Sequence, residues 1–196
     1  MSYSSAGNHN ELAKPILGTS DDGATFDYLE KDPYSGCLGS IDSAHLRVHK
    51  GQAYTASYYD AALADTTSIS ILFTTDSTTY PHIITSVSSS GNASVLFYEG
   101  ATTSNDGTAV VTINRNRNSS NVNGLTVTHT PTVTTNGTLI YEDYIPAGEK
   151  SKATGGSDGW GDELVLKPST KYLLVLTNDS GASAIVSVSA GWYENA

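Results

Sequence analysis

The sequence predicts an all-β fold, a jelly-roll-like antiparallel β-sandwich with an extended N-terminal arm. From residue 43 onward, short runs rich in Val, Ile, Thr and Tyr follow one another, and many alternate polar and apolar residues. Turn-forming clusters of Gly, Asn, Ser and Asp separate these runs. A succession of short strands of this kind favours a sandwich over a helical or α/β fold.

The predicted strands are justified in chain order by β-branched content, alternation and flanking turns. They cover residues 44–49, 54–59, 67–75, 80–88, 94–98, 108–113, 124–130, 137–145, 163–167, 170–178 and 184–193. Residues 146–162 form the longest segment between predicted strands, and their glycines predict a flexible loop around Trp160.

A chain of 196 residues predicts one sandwich domain, which we assign to residues 41–196. Residues 1–40 differ in composition from the rest of the chain, because glycines separate short polar segments. They are predicted to be an irregular arm. Two interpretations stay open for the arm. It is either a floppy tail or a segment that orders on a neighbouring subunit.

Charge and composition exclude several classes of function. The formal net charge of −10 disfavours sequence-independent nucleic-acid binding and adhesion to anionic lipid. The first residues lack the basic start and apolar core of a signal peptide, and no apolar run is long enough to span a bilayer. We therefore expect assembly in a reducing cytoplasm, with the single Cys37 as an inert free thiol.

The unusual motif is Asn114-Arg115-Asn116-Arg117-Asn118. If the preceding strand continues through it, the period of two places Arg115 and Arg117 on one face and the asparagines on the other. Two roles are open for the arginines. They are either buried or interfacial and bind acidic side chains of a neighbouring chain, or they form a local pair with Glu99.

No metal, cofactor or catalytic residues are predicted. His45 and His49 have the spacing that chelates a metal on a helix, but on a strand it separates them by about 13 Å. The Asp-Gly segments at 21–23, 105–107 and 158–163 do not fit a calcium loop and are better explained as turns, although a cation at 158–163 stays open. Hydrolase motifs are missing, and a glycosidase would need two carboxylates in one cleft, drawn from Glu99, Glu142, Asp143 or Glu194.

Aromatic residues leave a further alternative. They could stack on sugars, fill a subunit interface, or simply face the core. The candidates are Tyr54, Tyr58, Tyr59, Tyr80, Tyr98, Tyr141, Tyr144, Trp160, Trp192 and Tyr193.

A set of motifs lies along residues 43–196. It begins with His45-Leu46-Arg47-Val48-His49 followed by Gly51-Gln52-Ala53-Tyr54, and includes Tyr98-Glu99-Gly100 and the Asn-Arg motif. It continues in Lys167-Pro168-Ser169-Thr170-Lys171-Tyr172 and in Ala190-Gly191-Trp192-Tyr193-Glu194. Together these motifs resemble small structural proteins of tailed-phage virions.

This resemblance implies a non-enzymatic capsid decoration (cement) protein on the outer surface of a phage head. Its implied partners are further copies of itself, as a dimer or trimer, and the major capsid protein. Head and tail locations in the virion are both compatible with the motifs. The expected interface residues are Arg115, Arg117, Asn116, Glu99, Trp160 and Tyr54. The alternative is a glycan- or receptor-binding β-sandwich of a phage tail or cell-surface protein.

Overall fold

In a computed structural model, the protein is described over residues 18–19, 26–27, 43–146 and 163–194. The chain divides into two compact units, Met1–Asp42 and Ser43–Ala196. In the first unit the described residues form two short antiparallel strands, β1 (Gly18–Thr19) and β2 (Phe26–Asp27). The rest of the predicted arm lies outside the described residues, as do Cys37 and Trp160.

The described part of the second unit is almost entirely β-structure, which confirms the predicted fold class. Its elements are α1 (Ser43–His49), β3 (Ala53–Leu63), β4 (Ser68–Thr75), β5 (His82–Ser89), β6 (Ala93–Glu99), β7 (Thr102–Asn105), β8 (Thr108–Ala109), β9 (Thr112–Asn114), β10 (Leu125–His129), β11 (Thr132–Thr135), β12 (Thr138–Ile145), β13 (Leu164–Val165), β14 (Lys171–Asn178) and β15 (Ala184–Tyr193).

The strand order is that of a jelly roll. One sheet runs β12-β6-β14-β4-β10-β8 and the other β13-β5-β15-β3-β9, with antiparallel neighbours throughout. The pairs β3–β15, β4–β14, β5–β13 and β6–β12 nest inside one another, as in a long two-stranded ribbon. Rolling that ribbon up brings β15 beside β5 and β14 beside β6, which closes the two sheets of a jelly roll.

The apolar core lies between these two sheets and follows from the period of two. In β15, Val188, Ala190 and Trp192 are buried, while the alternate residues Ser189 and Gly191 face outward. In the opposite sheet, Phe97 of β6 is fully buried, with its ring 6.1 Å from Phe73 and 5.9 Å from Tyr172. Aromatic rings at these separations add to the free energy of folding beyond their buried area.

The segment between β6 and β12 adds a third layer. Strands β7 and β11 pair with each other, and Val133 of β11 packs over Leu72 and Leu173 on the outer face of the six-stranded sheet. The centre of that sheet is therefore buried on both faces. This explains the near-continuous apolar runs in β4 and β14, since strands covered on both sides lose their alternation.

The predicted strand over residues 44–49 is wrong, because the segment forms helix α1. Its end is fixed by Gly51, whose φ of +69° suits glycine. The amide of Gly51 donates to Val48 at 3.0 Å and that of Gln52 to Arg47 at 2.9 Å. These two bonds form a Schellman motif, a common helix end.

Two other predictions need correction around β9. The predicted strand 108–113 is split into β8 and β9, which belong to different sheets. Strand β9 ends at Asn114, and residues 115–118 form a bend and turn, so the Asn-Arg motif does not continue the strand. Strands β7 and β11 were not predicted, because their Thr- and Asn-rich sequences lack an apolar alternation.

Candidate functional site

The outer face of the five-stranded sheet carries small, uncharged residues at its centre. Strand β15 directs Ser187, Ser189 and Gly191 outward, and Ser189 lies between Ser57 of β3 and Ser86 of β5. A Cβ added at Gly191 would meet no atom within 4 Å. Within the described part of the chain, nothing covers the middle of this face.

Large apolar side chains surround that centre on the same face. Tyr59 and Ile113 rise on the β3–β9 side, Ile84 and Val165 on the β5–β13 side, and Ile185 stands at one end. Their exposed fractions run from 37% for Ile113 to 69% for Tyr59. Together with the small residues they form a shallow trough that we call the β15 face.

An aromatic and acidic cluster closes one end of the β15 face. The rings of His82 and Tyr193 stack with centroids 4.7 Å apart, and the Tyr193 hydroxyl donates to Glu163 at 2.7 Å. His82 also pairs with Glu163 through Nδ1. Partial burial would raise the pKa of Glu163, but the bonds from His82 and Tyr193 outweigh it and lower that pKa. The cluster lines a concavity of about 300 Å³.

Arg115 lies at the opposite edge of the same end and also lines this concavity. Its amide donates to Ala53 of β3 at 2.8 Å, which continues the ladder one residue beyond β9. Arg115 and Arg117 are both exposed in the single chain, so they are not buried in the core, and their interfacial role stays a prediction. Among the described residues, neither guanidinium forms an ion pair with a carboxylate.

The asparagines of the motif have a structural role that the sequence analysis missed. Asn114 Nδ2 donates to the carbonyl of Gly51 at 2.9 Å, and Asn116 Nδ2 donates to that of His49 at 2.8 Å. Asn121 Nδ2 donates to Lys50 at 3.2 Å. Carbonyls at a helix C-terminus have no partners inside the helix, and these amides satisfy them. The repeated asparagines after a strand were the available signal, since Asn side chains commonly bond to nearby backbone.

Glu99 does not pair with the arginines, which corrects the local pair considered from the sequence. It ends β6 in the six-stranded sheet, whereas Arg115 follows β9 in the other sheet. Its carboxylate accepts from Lys167 at 2.6 Å and from the Tyr172 hydroxyl at 3.0 Å. The bond from Lys167 is the main reason that the pKa of Glu99 is lowered, against the effect of burial.

Tyr54 is another correction, because only 3% of it is exposed and it faces the core. Its ring stacks on Trp192 with centroids 5.9 Å apart. Burial raises the pKa of Tyr54, and the charge of Glu194 raises it further. Tyr54 therefore contributes packing and leaves no ring for a neighbouring chain. Trp160, the remaining aromatic interface candidate, lies outside the described residues.

A polar pocket of about 410 Å³ lies at one end of the sandwich, beside Tyr54. Asp76 and Glu194 line it with Gln52, Asn121 and Asn123. Backbone amides of Thr79 and Thr78 lower the pKa of Asp76, so Asp76 does not fit a general acid, which needs a raised pKa. Glu194 is 5% exposed and accepts three hydrogen bonds. The pocket is suited to binding hydroxyl groups more than to glycoside hydrolysis.

The described residues contain no group of three or more His, Cys, Asp or Glu side chains placed to hold a metal. Helix α1, however, brings His45 and His49 together, contrary to the separation expected for a strand. No helix in the described ranges is long and apolar enough to cross a membrane.

Comparison with known proteins found no matching family model, curated protein or solved structure.

Proposed function

We propose that the protein is a non-enzymatic structural component of a phage virion, a capsid decoration protein that binds the head surface as a homo-oligomer and stabilises it. The observation that carries the proposal is the β15 face, a sheet surface that is uncharged at its centre and edged by exposed Ile, Val and Tyr side chains. Protein interfaces are depleted of charge at their centres and enriched in such residues. The motif resemblance over residues 43–196 supplies the virion context.

Charge distribution supports the use of this face for assembly. The chain has a net charge of −10, which opposes close approach of two copies elsewhere. On the β15 face the charged side chains are at one end, with Arg115 at one edge and Glu163 at the other. A two-fold axis along β15 would bring Arg115 of each copy toward Glu163 of the other. Symmetric repetition on a capsid then multiplies each modest contact.

The test introduces one charge at the centre of the face. Ser189→Glu should reduce the mass in light scattering from an oligomer to the 20.6 kDa monomer and weaken co-sedimentation with empty phage heads. Ser104→Glu, on β7 at the outer side of the other sheet, is the matched control and should change neither. Equal behaviour of the two variants would refute the role of the β15 face.

The N-terminal segment and the arginines are tested separately. Deletion of residues 1–40 should weaken head binding while the sandwich stays folded, if the segment contacts a neighbouring subunit. Replacement of both Arg115 and Arg117 by Ala should loosen the oligomer, because charge-assisted contacts to a second copy are lost. An unchanged mass for the double variant would count against both arginines.

A second candidate function is glycan binding, and the polar pocket favours it. Carboxylate and amide side chains at Asp76, Gln52, Asn121 and Asn123 are the groups that bind sugar hydroxyls. A glycan array with the full chain decides between the two functions. Specific binding that Gln52→Ala abolishes would support the glycan function, and a blank array with intact head binding would support decoration.

A further inference from the structure

Helix α1 places two imidazoles side by side on the protein surface. His45 and His49 are four residues apart, and side chains at this spacing are neighbours on one helix face. Their Nε2 atoms are 2.9 Å apart, and the ring centroids are 4.8 Å apart. Both residues are exposed, so an ion from solution reaches them directly.

The helix that carries the pair is anchored at its C-terminal end. Arg47 Nη1 donates to Gln52 Oε1 at 2.7 Å, and Asn116 fixes the carbonyl of His49. The Schellman motif at Gly51 closes the same end. Anchoring reduces the conformational entropy that a ligand would otherwise have to remove when it orders the pair.

The separation of the two nitrogens matches a chelate. Imidazole nitrogens bind transition metals at about 2.0–2.1 Å, so two of them at a right angle are about 2.9 Å apart, and at a tetrahedral angle about 3.3–3.4 Å. The observed 2.9 Å is the hydrogen-bonded separation in the metal-free chain, and it is close to both values, so the rings need to move little to bind one ion. Imidazole suits several late first-row divalent metals, among which Cu²⁺ generally binds most tightly.

We propose that His45 and His49 form a two-histidine site for a late first-row divalent metal ion, with Cu²⁺ bound most tightly and Ni²⁺ next. The two Nε2 lone pairs supply two coordination positions, and water fills the others. In the metal-free protein one Nε2–H donates to the other Nε2. On binding, the donor imidazole takes the tautomer with its proton on Nδ1, so that both Nε2 lone pairs coordinate the ion. The site is separate from the β15 face and does not depend on the proposed virion role.

The test is calorimetric titration of the full chain with CuCl₂, NiCl₂ and ZnCl₂ after removal of metal by a chelator. We expect one tight site with affinity falling in that order. His45→Ala and His49→Ala should each weaken Cu²⁺ binding at least about 10-fold, because a single imidazole loses the chelate's effective concentration. Electron paramagnetic resonance of the Cu²⁺ complex should show two coordinated nitrogens, and one in each variant.

Three controls separate the chelate from general binding to an acidic chain. His129→Ala and His9→Ala remove histidines outside the pair and should leave the affinity unchanged. Combining His49→Ala with Lys50→His keeps the number of histidines but moves the second ligand off the helix face, and should weaken binding as much as His49→Ala. Circular dichroism checks that each variant is folded. Unchanged Cu²⁺ affinity in His45→Ala, or full affinity in the moved-histidine variant, would overturn the proposal.

Discussion

The carboxylate of Glu194, just after β15 in one sheet, accepts the backbone amide of Leu125 in β10 of the other sheet at 3.0 Å. Its second oxygen accepts the amide of Gly124 at 2.8 Å, and the indole of Trp192 donates to the first at 3.0 Å. One side chain thus joins the two sheets at the open end of the sandwich. A buried carboxylate satisfied in this way stabilises the fold, whereas loss of the acceptor leaves buried donors without partners.

Glu194→Gln should therefore lower the free energy of unfolding by about 1.5–3 kcal/mol, because the new amide directs N–H groups at backbone donors. Urea unfolding followed by Trp fluorescence measures the change. Glu142→Gln makes the same chemical change on an exposed position of β12 and should cost much less. Equal losses in the two variants would show that the link between the sheets adds no stability.

The raised pKa of Tyr172 should make the free energy of unfolding fall at alkaline pH. Burial raises its pKa to about 12, and Glu99 adds to this, while the bond from the Lys167 amide opposes it. Unfolded tyrosine ionises near pH 10, so this contribution is complete below about pH 10 and is lost as pH rises toward 12. Tyr172→Phe should be less stable at neutral pH and show a shallower loss of stability over that window, measured by urea unfolding at each pH. An identical pH slope in both proteins would contradict the prediction.

The contact of Asp106 with Lys171 and Thr103 should be lost at acid pH. Lys171 and Thr103 bind its carboxylate and lower the pKa of Asp106, although burial opposes them. The stabilisation is present above the unfolded pKa of about 4 and is lost as pH falls below it. Because the pair is partly exposed, Asp106→Asn should cost no more than about 1 kcal/mol at neutral pH. Amide exchange in β7 and β11 should accelerate in the variant and, in the native chain, at acid pH.

The sequence predicted the sandwich because strands with one buried face keep their alternation, as in β15 and β5. The failures have physical causes. Residues 44–49 alternate like a strand, yet Gly51 and the asparagine side chains fix a helix end there. The β15 face was missed because it depends on which serines become neighbours across strands, and register is not visible in a single strand. The alternative of a local pair between Glu99 and the arginines could not be decided for the same reason, since sheet membership decides the partner of Glu99.

Asn114 should be the main support of helix α1. Its side chain donates to Gly51 and to Asn121 and accepts the amide of Asn116. Asn114→Ala should cost about 1–2 kcal/mol and increase amide exchange in α1, because carbonyls at the helix end lose their donors. Asn118→Ala is the control, since only its backbone amide joins the described network. Equal amide exchange of α1 in the two variants would show that the Asn114 side chain does not stabilise the helix.

Alanine variants of Gly137 and Gly181 distinguish the cost of a positive φ from the cost of a steric clash. Both have positive φ, +87° and +76°, so an alanine at either position costs about 1–2 kcal/mol. At Gly137 a Cβ would also lie 2.2 Å from the Glu99 carbonyl oxygen, whereas at Gly181 it would meet nothing within 4 Å. Gly137→Ala must therefore shift the start of β12 against β6, where Thr138 pairs with Glu99. We expect its urea midpoint to fall clearly below that of Gly181→Ala; matching midpoints would show that the β11–β12 turn relaxes freely and does not set the register of β12 against β6.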